Sequence, residues 1–166
     1  MVKMFKRKAQ VQNEVFVYIL AIVILSMILF FGYRAIKGFG AQSQEVSYIQ
    51  LRTELQTAVK QIRSDYGSVS NREFEIPGKY KSLCFAEAGA SQAVLDAGSQ
   101  YTIIYDSVAS GTAKNAFLYP EGTDSFDVGS IEVNIDGKKF GCIDAAGGKV
   151  KIRLEGLGDS TKISAQ

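Results

Sequence analysis

Polarity along this chain changes character three times, and each change marks an element. From Val15 to Tyr33 the chain reads VFVYILAIVILSMILFFGY, nineteen residues without a charge. As a helix that is long enough to cross roughly 30 Å of hydrocarbon. Beyond Gly38-Phe39-Gly40, a soft joint for a helix because interior glycine is poorly tolerated, an amphipathic pattern begins. Tyr48, Leu51, Leu55, Ala58 and Ile62 repeat at spacings of three and four, so a helix places them on one stripe. Gln50, Thr53, Glu54, Thr57, Gln61 and Ser64 take the polar remainder. Gly67, just past Tyr66, suits a helix end. A helix unbroken from Val11 to Tyr66 would measure on the order of 80 Å.

After Ser68-Val69-Ser70-Asn71 the period shortens. Phe74-Glu75-Ile76 and Leu83-Cys84-Phe85 read as strands around a Pro77-Gly78 turn. Ala93-Val94-Leu95 fits a short helix or a loop, while Tyr101–Tyr105 and Ala116–Tyr119 are rich in strand formers. Ile131, Val133 and Ile135 alternate with polar residues and run into Asp136-Gly137, a strong hairpin signal. A two-residue turn would set Ile135 opposite Lys138, Val133 opposite Phe140 and Ile131 opposite Cys142. A three-residue loop, Gly147-Gly148-Lys149, would then pair Ala146 with Val150 and Cys142 with Leu154. A last strand is expected around Ile163, after the Gly156-Leu157-Gly158-Asp159 turn. The predicted fold is therefore α+β: a long N-terminal helix, membrane-spanning in its first half, over an antiparallel meander whose apolar face is lidded by the Tyr48–Ile62 stripe. Residues 1–9 form a leader, 10–66 the helix and 67–166 an extracytoplasmic β-rich domain.

Charge sharpens this division. Residues 1–66 carry nine Lys/Arg against four acids, and residues 67–166 carry ten against thirteen. Lys3, Lys6, Arg7 and Lys8 precede the apolar run and only Arg34 and Lys37 follow it closely, which favours a cytoplasmic N-terminus. A conventional secretory signal fits poorly, since the run is too long and no small-x-small site follows it promptly. A mildly acidic domain offers no footprint for nucleic acid. The chain has no His, which rules out Ser-His-Asp and Cys-His catalysis and removes the commonest metal ligand. Gly156-x-Gly158 lacks the third glycine of a phosphate cradle. Glu121, Asp124 and Asp127 do not match a calcium-loop spacing and read as a solvated loop. No enzyme, cofactor or metal site is expected. Cys84 and Cys142 both lie beyond the apolar run, where two cysteines most simply form one disulfide in an oxidising compartment; the alternative is two buried thiols.

The approach to the apolar run holds the most specific signal. Lys8-Ala9 is followed by QVQNEVFVYILAIVIL, with Glu14 fifth from Gln10. This resembles the start of a type IV pilin of the archaeal kind, carrying a class III signal peptide. In that family a basic residue and a Gly or Ala precede the cut, Gln begins the processed chain and an acid stands fifth. Ala9 replaces the commoner Gly, Gln12 stands where some members carry Ser, and Tyr18 where they carry Leu. The resemblance covers residues 7–33; the domain behind them matches in order only. It implies cleavage between Ala9 and Gln10 by a prepilin peptidase, residence in the cell membrane, and assembly with other copies of the chain into a surface filament. The cut removes four cations and creates an α-amino group at Gln10. Glu14 is costly to bury unpaired at the lip of an apolar helix. It either pairs with the Gln10 amine of a neighbouring subunit or favours the helix N-terminus at the lipid interface. The alternative to a filament subunit is a single-span surface protein whose β-domain binds a ligand or partner.

Overall fold

The computed structural model describes residues 5–120 and 124–166, the side chains of 5–14 and 37–43 excepted. The chain forms two compact units, Met1–Ser43 and Gln44–Gln166. In the first, helix α1 (Phe5–Arg63) begins, and it contains a 22-residue segment, Val15–Ile36, long and apolar enough to cross a membrane. The helix continues through Gly38-Phe39-Gly40.

Among the described residues, the second unit opens with the remainder of α1 and adds eight strands, two short α-helices and a 3-10 turn at Ser99–Tyr101. In chain order these are β1 (Val69–Glu75), β2 (Ser82–Ala86), α2 (Ser91–Ala97), α3 (Thr102–Ala109), β3 (Ala116–Tyr119), β4 (Ser125–Phe126), β5 (Ile131–Val133), β6 (Phe140–Asp144), β7 (Lys149–Gly156) and β8 (Thr161–Ala165). They make two four-stranded sheets, one in the order β1-β7-β8-β5 and the other β4-β3-β2-β6. All pairings are antiparallel except β5 with β8.

The expected lid is present. Leu51, Leu55, Ala58 and Ile62 are buried in one cluster with Phe74, Val150, Ile152, Leu154 and Ile163 of the first sheet, and Tyr48 packs at its margin. β7 alternates for this reason: Val150, Ile152 and Leu154 face α1, while Lys149, Lys151 and Arg153 face solvent. The second sheet is covered on both sides, and every residue of β2 is buried. Leu83, Phe85, Ala116 and Leu118 join the α1 core. Between them in sequence, Cys84, Ala86 and Phe117 point the other way, onto Val94 of α2 and Ile104 and Val108 of α3.

Three local expectations are corrected. The Asp136-Gly137 turn forms, with both residues at positive φ (53° and 74°) and Ile135 bridging to Lys138. The hairpin stops there, because β5 pairs in parallel with β8 and β6 pairs with β2. A turn signal sets local geometry, whereas the partner of a three-residue strand is decided by which apolar face it can join. Gly147-Gly148 likewise makes a two-residue turn with Ala146 opposite Lys149, and β7 leaves β6 for β1 and β8. The meander is thus two sheets. Finally, Tyr101–Tyr105 is helical from Thr102 onward. Its β-branched residues read as strand, but Ile104 and Val108 fall four apart and give one buried face.

The junction of α1 with the first sheet is tight. Thr161 Oγ1 donates to the carbonyl of Val59 at 3.0 Å in a buried site. The Gly158 amide donates to Arg63 O at 2.8 Å, and the Gly67 amide to Gly156 O at 2.8 Å. The last carbonyl of α1, Arg63 O, which has no partner within the helix, thus finds one in the β7–β8 turn. A side chain at Gly156 would collide with the carbonyl oxygens of Ile62 and Asp65.

Candidate functional site

Every large apolar side chain from Val15 to Ile36 that is described is exposed, Leu29 and Ile36 at 73%. Ser26, in the middle of this surface, donates its hydroxyl to Ile22 O at 2.8 Å. Its polarity is therefore satisfied inside the helix, as a hydrocarbon surrounding requires. Phe30 and Phe31 meet edge to face at 5.8 Å near the far end. Ala9, Gln10 and Glu14 lie on α1, and their side chains lie outside the described ones.

Cys84 and Cys142 are joined in a disulfide, with Cα atoms 3.9 Å apart. They oppose each other directly across β2 and β6, beneath α2 and α3. The bond fastens β6 to the most buried strand of the domain.

Two of the three carboxylates weighed for a cation have other partners. Asp124 pairs with Lys79 at 2.9 Å, and Asp127 Oδ1 accepts the Gly129 amide at 2.7 Å, an Asx turn. Glu121 lies outside the described residues. Among the described residues no three His, Cys, Asp or Glu side chains gather as a metal site. Tyr48 sits beside this loop, its hydroxyl donating to Ser125 O at 3.4 Å and its ring edge-on to Phe126. Burial first, and then the negative Asp124, hold the Tyr48 hydroxyl above its ordinary pKa.

Two surfaces of the second unit escape a reading by hydrophobic period. Arg52, Gln56, Lys60 and Arg63 fall at spacings of four, four and three on the flank of α1. The last three border a groove of about 320 Å³ completed by Val59 and Asp127–Ser130, where Gln56 Nε2 donates to Asp127 O at 2.6 Å. The helical layer on the second sheet exposes Leu95 (49%) and Ile103 (53%). The signals for both were present, as like charges at helical spacing and as apolar residues outside the buried i, i+4 pair.

Neither a known protein family, nor a curated protein, nor a solved structure matches the chain. The features described define its class: an α+β protein with an N-terminal apolar helix of membrane-crossing length, followed by a disulfide-bonded domain of two largely antiparallel sheets.

Proposed function

We propose that this chain is a structural subunit of a type IV pilus-like extracellular filament, held in the cell membrane until it assembles. The observation that carries the reading is the division of α1 into two surfaces. Val15–Ile36 is apolar and exposed all round, whereas the stripe of Leu51, Leu55, Ala58 and Ile62 is consumed by the domain's own core. The first half of the helix has its apolar surface left for lipid or for identical helices, and the second half serves as the domain's spine. A plain membrane anchor needs the same apolar length. It has no use for the Lys8-Ala9-Gln10 junction or for an acid five residues into the processed chain. The role is architectural; the domain contributes a rigid, disulfide-bonded head rather than a reaction centre.

Mass spectrometry of the protein from its native membrane and cell surface tests this. The expected species begins at Gln10, lacks residues 1–9, and is recovered from sheared surface filaments. A single membrane-bound species retaining residues 1–9 would instead favour the anchored surface protein.

A further inference from the structure

We infer that the head carries a head-to-tail interface for a second copy of this chain: the α2–α3 surface of one copy seats on the cationic flank of α1 in another. The inference rests on the filament reading and names the surfaces through which neighbouring heads would meet.

The first surface is acidic and partly apolar. Residues 91–113 contain Asp96 and Asp106 and no Lys or Arg. Both acids are exposed, as are Leu95 and Ile103. Ile103 and Asp106 are three apart on α3 and so lie on one face; Leu95 and Asp96 end α2, which packs beside α3 in the same layer. The exposed Leu95 and Ile103 give this surface apolar area, and the two acids give it a negative sign that a positive patch can match.

The second surface is cationic. Arg52, Lys60 and Arg63 are exposed, and none of them forms an ion pair among the described residues. The adjoining groove includes one acid, Asp127, whose Oδ1 is engaged by the Gly129 amide. Lys60 and Arg63 line the groove against Asp127, and Arg52 lies further along the same flank of α1, which leaves a positive strip beside an apolar floor of Val59 and Val128.

The fold keeps the two surfaces apart. α2 and α3 cover one face of the second sheet, and α1 belongs to the core on its other face. One copy can therefore offer its α2–α3 surface to one neighbour and its α1 flank to another. Contacts between unlike patches do not close as a two-fold dimer does, and where their rotation does not close a ring they propagate. Opposite charge fixes which patch meets which, and like patches repel.

Three variants of the full chain, expressed in its own cells, provide the test. Asp96→Lys with Asp106→Lys makes both surfaces positive, and Lys60→Glu with Arg63→Glu makes both negative. Each is expected to lower surface filament yield by about tenfold or more, the order of effect of opposing close charge pairs. Disulfide formation and thermal unfolding of the head are expected to stay as in the parent. The fourfold exchange restores complementarity and should recover filaments. In parent filaments, zero-length carbodiimide coupling should join Lys60 of one copy to Asp96 or Asp106 of another. Normal filament yield from both double variants overturns the interface while leaving the filament reading intact. So does a fourfold exchange that folds but stays dispersed, together with parent filaments that lack the cross-link. A parent chain that forms no filaments under any condition removes both.

Discussion

At the scale of single residues, two positions make sharp and opposite predictions. Tyr80 is 5% exposed and its hydroxyl has no hydrogen-bond partner among the described residues. Removing an unpaired buried polar atom while keeping the ring relieves a desolvation cost. Tyr80→Phe is therefore expected to stabilise the head by about 1 kcal/mol, seen as a higher urea midpoint at unchanged slope. A lower midpoint would mean that the hydroxyl is satisfied after all. Gly156 works the other way, since any side chain there meets backbone oxygens of Ile62 and Asp65 that cannot turn aside. Gly156→Ala should cost about 2 kcal/mol or more through overpacking, whereas Gly78→Ala, with open space around the position, should change little. Equal effects at the two sites would show that the approach of β7 to α1 is looser than described.

At the scale of elements, what the sequence reveals depends on whether its cause is local. The α1 stripe was legible because Leu51, Leu55, Ala58 and Ile62 need only helical periodicity to share a face, and the alternation in β7 was legible for the same kind of reason. The Asp136-Gly137 turn was legible as a turn. What followed it was not: β6 pairs with β2, with Cys142 opposite Cys84 58 residues earlier, whereas the hairpin signal pointed to β5 and the expected disulfide tied the two cysteines together without making their strands neighbours. The helicity of Thr102–Ala109 was hidden by its β-branched composition, and was won by a buried Ile104–Val108 pair that only tertiary packing makes decisive. The cross-strand disulfide is where the two kinds of information meet, since its pairing was expected and its seat between β2 and β6 was not. Closing a 58-residue separation is expected to stabilise the head by about 4 kcal/mol on loop-closure entropy. Urea unfolding of the purified chain with and without reductant measures this. Identical midpoints, with thiol labelling proving reduction complete, would remove the disulfide from the list of things that hold the head together.

At the scale of the whole molecule, the open question is what meets the bare half of α1. Under the filament reading Glu14 of one subunit pairs with the Gln10 amine of another, because a helix holds its own terminus too rigidly to serve the carboxylate four residues on. Glu14→Gln keeps size and helix propensity and removes the charge. The variant is expected to enter the membrane and form its disulfide as the parent does, yet to yield few or irregular filaments. Filaments of normal amount and unchanged subunit rise would reduce Glu14 to a residue that suits the lipid interface.

The position of β8 has a consequence for how such a head is made. Thr161–Ala165 lies between β7 and β5, and its parallel neighbour β5 has no other strand partner in that sheet. Thr161 also closes on Val59 O of α1, 102 residues earlier. Under the filament reading, a head emerging from a translocation channel, α1 first, exposes Leu51, Leu55 and Ile62 until Ile163 has followed them across. Pairing over such separations is slow, because loop-closure entropy is lost before contacts repay it. During that interval the amphipathic stripe is available to the bilayer surface, to chaperones or to the stripe of another nascent head. On that reading maturation would be timed by the export of β8, and a subunit arrested short of it would present an open core to its neighbours.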